Sequence, residues 1–379
     1  MPAKTCLIIF VILLSAYSCS TRKKNQRIIL DRTYKNEILE SREAVKVHFL
    51  TSSAPGISVS VSINGKTIWS EGMGYANKEL LAPAKPETKY RIGGTSRMFT
   101  SFLIAKLQQE GKLNVNHSFY EYIPDFPKKQ WYFTPYQLGV HSAGFPEDST
   151  DDLFKQSKTY NTLKDYVKGF SNDSLLYKPD TYFMISNHGP CLLGILAEEV
   201  TQKKFSALME DVILDTLGLD ETVIDHPLYL IENRSHTYYQ NYIAQMMNAP
   251  AIDLSFCTPA QGFLSTADDL NKAGQIVLDS AFFDQESREL FFTRHKLGDH
   301  ETNIGFGWLI FKDEQDRQMY AQIGSTMGGS SMLLIYPDYK LVVSICSNLS
   351  DDEGRLPAEQ IAKIFLKKID PRASDVKKE

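Results

Sequence analysis

Cysteine is scarce in this chain, with five among 379 residues. No CxxC and no paired Cys/His spacing occurs, so a structural zinc site is not expected, and no metal or cofactor is expected elsewhere. Cys6 and Cys19 belong to an apolar leader, while Cys191, Cys257 and Cys346 sit singly in apolar settings. Isolated thiols of this kind are more often small buried hydrophobes than a disulfide framework, and the sequence leaves their pairing open. Positive charge is not in excess either. Lys and Arg total 41 against 46 Asp and Glu, a net charge of −5, so nucleic acid is not an expected partner. There is no repeat of 20–50 residues and no low-complexity tract.

The one long apolar run is at the start. "MPAKTCLIIFVILLSAYSCS" has a single basic residue, Lys4, and then an uncharged stretch too short to span a bilayer comfortably. Its end, Ala16-Tyr17-Ser18-Cys19, resembles a bacterial lipoprotein signal in which Cys19 becomes the lipidated first residue. An ordinary cleaved signal and an uncleaved anchor are the alternatives. The basic stretch "STRKKNQR" then suits a tether beside anionic lipid heads, or a solvated linker. The expectation is an exported protein held at the bacterial envelope membrane, on the periplasmic side.

Along the rest of the chain, residues 27 to 50 read as a helix, with Leu30, Tyr34, Ile38, Val45 and Phe49 on one face. In "PGISVSVSINGKTIWSEGMGYAN", Ile57, Val59, Val61 and Ile63 alternate with serines, predicting a strand with one buried face. Asn64-Gly65 predicts a type I′ turn. A helix is expected from Thr95 or Ser96, with Phe99, Phe102, Leu103 and Leu107 inward and Gly111 at its end. Helix and loop dominate from about 115 to 250. Paired strands follow in "FGWLIFKDE", "QMYAQIGS" and "SSMLLIYPDYKLVVSICSN", before a last amphipathic helix, "PAEQIAKIFLKKI". Strands at both ends and helices between predict an α/β (α+β) fold: an antiparallel sheet flanked by terminal helices, with an all-helical insertion and a cleft between them. The corresponding division is a signal at 1–18, a tether at 19–30, a sheet domain at 31–93 and 255–370, a helical domain at 94–254 and a polar tail at 371–379.

Several segments, in order, resemble the serine β-lactamase and penicillin-binding protein superfamily, in its class C-like branch. They are "PGISVSV" with "GMGYAN", "ETKYRIGGTSRMFTSFLIAKLQQEGKLNVN", "LGVHSAGFP", "GFLSTADDL" and "STMGGSSMLLIYPD". The resemblance runs from about 45 to 370 and implies three catalytic motifs: Ser-x-x-Lys, Tyr-x-Asn and His/Lys-Thr-Gly. In such enzymes the serine forms an acyl-enzyme while the lysine and tyrosine move its proton.

Each motif departs from that pattern here. The first matches Gly94-Thr95-Ser96-Arg97, so the nucleophile position has no side chain. Arg97 keeps the positive charge of the lysine, but a guanidinium titrates above about 12 and has no lone pair to act as a base. The second matches Ile185-Ser186-Asn187, with isoleucine for tyrosine. The third matches Gln322-Ile323-Gly324, with glutamine for the basic residue. Ser96 is a hydroxyl near the right place, yet two residues along a helix turn the side chain by about 200°. Its plainer role is a helix N-cap or first-turn residue. True Ser-x-x-Lys strings at Ser20–Lys23 and Ser374–Lys377 lie in polar tails.

The resemblance also implies an oxyanion hole from the N–H groups of Gly94 and Ser325, which side-chain loss would not remove. With Arg97, Ser96, Ser186, Asn187 and Gly324 nearby, the cleft is expected to hold a carboxylate or carbonyl. The plainer alternative pairs Arg97 with a carboxylate and makes Asn187 a loop brace. His141 is read as structural and His188 as a loop residue. "STDDL" and "SDDEG" lack a calcium pattern, and His295, Asp299 and His300 lack a metal-site context. Three functions follow: a non-catalytic binder of a cell-wall peptide, an amide or ester compound, or an envelope protein; a diverged hydrolase using Ser96 or another group; and a structural partner of an active paralogue.

Overall fold

The computed structural model describes residues 28–146, 160–350, 356–370 and 372. The signal, Cys19, the "STDDL" loop, nearly all of "SDDEG" and the two tail Ser-x-x-Lys strings therefore lie outside the described residues. In chain order the strands are β1 (Gly56–Ile63), β2 (Lys66–Asn77), β3 (Ala82–Pro83), β4 (Tyr90–Arg91), β5 (Val223–Ile224), β6 (Tyr238–Gln240) and β7 (Met246–Asn248). They continue with β8 (Phe263–Ser265), β9 (Lys296–Leu297), β10 (His300–Glu301), β11 (Ile304–Gly305), β12 (Trp308–Lys312), β13 (Gln318–Thr326), β14 (Gly329–Tyr336) and β15 (Leu341–Ser347). The main sheet has eight strands in the order β11-β12-β13-β14-β15-β1-β2-β3, with its paired neighbours antiparallel. The longer helices are α1 (Lys35–Ser52), α2 (Arg97–Gln109), α3 (His188–Thr201), α4 (Ala267–Leu278) and α5 (Ala358–Ile369).

The sheet is joined from the two ends of the chain at β1 and β15, which pair from Ile57↔Ser347 to Ile63↔Leu341. Its first hairpin turns on Asn64 and Gly65 with φ of 53° and 75°, the left-handed pair that a type I′ turn requires. Ile57, Val59, Val61 and Ile63 face the terminal helices, packing in one core with Ile38 and Val45 of α1 and Ile361 and Phe365 of α5. The alternation predicted one buried face, and here the structure differs: all eight β1 residues are buried. Helix α4 covers the serine face. Asn271 donates to the carbonyls of Ser60 and Val342 at 3.0 and 3.1 Å, and Ser344 Oγ donates to Ala267 O at 2.6 Å. The small serines leave room for that helix, and Gly274 brings it closer still, since a Cβ there would meet Val342 Cγ1 at 2.6 Å.

The first helix starts later than the apolar spacing suggests. Ile29 bridges to Trp69, and Leu30 N–H donates to Ile68 O at 3.0 Å, so the entering chain runs along β2. Asp31 then accepts from the Thr33 N–H and opens the turn that leads into α1. Helix α2 follows its pattern, with Phe99, Phe102, Leu103 and Leu107 all buried in the second core and Gly111 beyond its end at φ 68°. Full burial of side chains this size contributes about 1.5–3 kcal/mol each.

Candidate functional site

The site forms where a short 3-10 turn, Gly93–Ser96, leads into α2 and packs against β13. Two glycines set that contact. Gly93 has φ +52°, and a Cβ on it would lie 2.6 Å from Ser325 O. A Cβ on Gly324 would lie 2.0 Å from Ile92 O and 2.6 Å from Thr95 N. Turn and strand thus meet backbone to backbone. Ser331 of β14 fastens the turn, donating to Ile92 O at 2.8 Å and lying 2.9 Å from Thr95 Oγ1. Gly324 therefore faces the turn as a close-packing position.

Ser325 is placed differently. The β13–β14 hairpin closes with Thr326↔Gly329, and Ser325↔Ser330 is the next pair. In a two-residue hairpin the closing pair exchanges the hydrogen bonds, so the following pair turns its N–H groups outward. Strand β12 pairs with β13 only as far as Ala321. The Ser325 N–H accordingly points along the β13 edge that borders Gly93 and Gly94.

Gly94 leaves a gap that Arg97 fills. A Cβ on Gly94 would come within 2.9 Å of Arg97 Nη1 and 3.2 Å of Cζ. The guanidinium is held there by Asn187, whose Oδ1 accepts from Nη2 at 2.9 Å. The segments matched above to the first and second motifs are therefore joined, through Arg97 and Asn187. The third is also near. Gln322 is buried, and its Nε2 donates to Gly307 O at 2.6 Å. Gly307 is packed against Ser101, one helical turn beyond Arg97. Ile185 is 38% exposed and offers an apolar surface where the family pattern has a phenol.

The two serines expected at the ligand, Ser96 and Ser186, are both buried. Ser96 is fully buried, and the Phe263 N–H of β8 donates to its Oγ at 3.4 Å. It makes no side-chain cap to α2, so its partner is the neighbouring strand rather than its own helix. Ser186 is buried too; its Oγ accepts from the His188 N–H at 3.0 Å and so braces the turn into α3. It borders a small cavity of about 10 Å³, shared with Gln137, His141 and Met184, that is on the scale of one water.

His141, read from its segment as structural, lies beside the site. Its Nδ1 accepts from the Ser186 N–H at 3.5 Å, leaving the proton on Nε2. Burial pushes its pKa down to about 3, and the nearby Arg97 charge pushes the same way. It is a neutral ring at physiological pH. Close by, Asp180 accepts from Ser142 Oγ at 2.6 Å and Gln137 Nε2 at 2.5 Å and lies 3.2 Å from His295 Nε2. Burial raises its pKa, but these donors outweigh that and hold it below the ordinary carboxylate value. His295 is thus engaged by a carboxylate, and among the described residues no group of three or more His, Cys, Asp or Glu is arranged to hold a metal.

Behind the turn, Arg91 of β4 is anchored by a buried ion pair. Its Nε donates to Asp225 Oδ2 at 2.6 Å, and its Nη1 donates to Met327 O at 2.9 Å in the β13–β14 turn. Arg234 binds the other oxygen of Asp225.

A sheet covered on one face by terminal helices, with a glycine turn and helix meeting its β13 edge, is the β-lactamase/transpeptidase architecture. The beta-lactamase family model matches residues 41–365, and the chain belongs to that family. It is 26% identical to the mitochondrial serine beta-lactamase-like protein LACTB of Homo sapiens, over 75% of this chain and 69% of LACTB. It is also 26% identical to protein flp of Staphylococcus aureus strain MW2, over 79% of this chain and 60% of flp. In fold it resembles FmtA from Staphylococcus aureus, with a TM-score of 0.75 at 21% identity, over 92% of this chain and 93% of FmtA. An octameric penicillin-binding protein homologue from Pyrococcus abyssi aligns with a TM-score of 0.73 at 22% identity, over 87% and 76% of the two chains.

Proposed function

We propose that this β-lactamase-family protein binds a carboxylate- or carbonyl-bearing ligand at its cleft and does not cleave it. One observation carries the reading: the Arg97 guanidinium stands where any side chain on residue 94 would project, and Asn187 holds it there. The attacking oxygen is absent, its space is taken, and the occupant cannot accept a proton. Burial of Ser96 against Phe263 counts against a substitute nucleophile. A cation held beside the β13 edge suits an anionic or polarised oxygen. Cell-wall peptides and related amides or esters are the ligand class, and an envelope protein offering such a group is the macromolecular form of it.

The leader and basic tether support export and lipid attachment at Cys19. No helix among the described residues is long and apolar enough to cross a membrane.

The test has two arms. Wild-type protein is incubated with a fluorophosphonate and a labelled penicillin, then weighed intact; no adduct is expected, and a stable one would overturn the non-catalytic reading. Titration calorimetry with cell-wall muropeptides should show binding that Arg97→Ala weakens about tenfold or more, as loss of a charge-assisted contact implies. Equal affinity in wild type and variant would remove Arg97 from the site. For the anchor, Cys19→Ser should move the protein from the membrane to the soluble fraction.

A further inference from the structure

Helix α3 and the segment that precedes β8 carry a pair of thiols with no part in the site chemistry. Cys191 lies in the first turn of α3, and Cys257 ends the 3-10 turn Ser255–Cys257. Their Sγ atoms are 3.5 Å apart across 66 residues of chain, and both side chains are fully buried. Bonded sulfurs stand about 2.05 Å apart, so closure asks for an approach of about 1.5 Å. The backbones are already close. A Cβ on Gly194, one turn beyond Cys191, would meet Pro259 Cγ at 2.6 Å, and Pro259 lies two residues beyond Cys257.

We propose that Cys191 and Cys257 are a modification site: they form an intramolecular disulfide when the chain folds in the presence of an oxidising small-molecule or protein disulfide. One protein thiolate attacks the external disulfide, releasing one thiol and leaving a mixed disulfide. The second protein thiolate then attacks the protein sulfur of that bond and releases the second thiol. Two electrons pass from the cysteine pair to the external disulfide, and the two protons end on its two released thiols. Because both sulfurs are buried in the folded protein, the exchange belongs to folding or to transient opening.

The bond would tie together two segments that both hold α2. Asn187, which accepts from Arg97, lies four residues before Cys191, and Pro259 O accepts from Thr100 Oγ1 at 2.8 Å, one turn after Arg97. Closing the pair fixes the first turn of α3 and the support beneath α2 with respect to each other. Cys346 is the internal control. It is equally buried, but stands in β15 between Ser58 and Ser331, and burial pushes its thiol pKa up.

The experiment unfolds the purified full chain, refolds it with oxidised glutathione, blocks remaining thiols by alkylation in denaturant and maps the peptides by mass without reduction. The expected result is one linked pair of peptides containing Cys191 and Cys257, with Cys346 alkylated. Recovery of both Cys191 and Cys257 as alkylated thiols, or a link through Cys346, would overturn the proposal. In parallel, the oxidised protein should melt about 4 °C or more above the dithiothreitol-treated protein. That difference should vanish in Cys191→Ala and separately in Cys257→Ala. An oxidation-dependent rise that persists in either variant would place the bond elsewhere.

Discussion

Arg97 Nη2 lies 2.9 Å from Asn187 Oδ1, joining residues 90 positions apart. The contact links the turn that opens α2 to the start of α3. It also fixes what repair of the nucleophile would require.

On the non-catalytic reading, Gly94→Ser alone should show no hydrolysis. The new Cβ would come within 2.9 Å of Arg97 Nη1, so the flexible end of the guanidinium must shift. No residue then takes the serine proton, because Ile185 cannot and Gln322 is committed to Gly307 O. Hydrolysis of nitrocefin and of a p-nitrophenyl ester should remain at the buffer rate. Denaturant unfolding should show a loss of about 1 kcal/mol or less, because the atom that must give way is the end of a flexible side chain. Turnover by this single variant would contradict the account of proton transfer.

Acid should weaken the fold early. His141 in the folded chain titrates near 3, against 6.5 when unfolded. Between those values the unfolded state binds more protons, so stability is complete above about 6.5 and falls as pH drops toward 3. Buried His48 is shifted in the same direction. Urea unfolding at a series of pH values should show this slope, and His141→Asn, which tolerates the positive φ of 58°, should reduce it. An unchanged slope in the variant would remove His141 as its source.

The Asp225 anchor should prove more costly to break than an exposed pair. Asp225→Ala leaves two guanidinium groups, from Arg91 and Arg234, facing a vacated buried site, at a cost of about 3–5 kcal/mol. Glu314→Ala, which removes an exposed partner of Lys363, should cost about 1 kcal/mol or less. Denaturation midpoints of the two variants give the comparison directly, and similar values would show that the buried pair is not what holds β4.

Local signals carried far along the sequence. Asn64-Gly65 forms the turn it predicts, and the α2 apolar face is buried where its spacing places it. What escaped was set by distant partners. The β1 serines look like a solvent face until α4, some 200 residues later, covers them. Ser96 turns from the cleft as helix geometry requires, but its hydrogen bond goes to Phe263 of β8 rather than to a cap. The substituted motif positions could be read directly; that Arg97 occupies the space over Gly94, and that His141 feels its charge, depended on how the chain folds back on itself.

The close apposition of the Gly93–Gly94 turn with Gly324 has a wider consequence. Main-chain atoms set the distance between turn and strand there, so that contact is insulated from exchange of the side chains around it. The spacing of turn and strand would then outlast changes in the side chains that surround them.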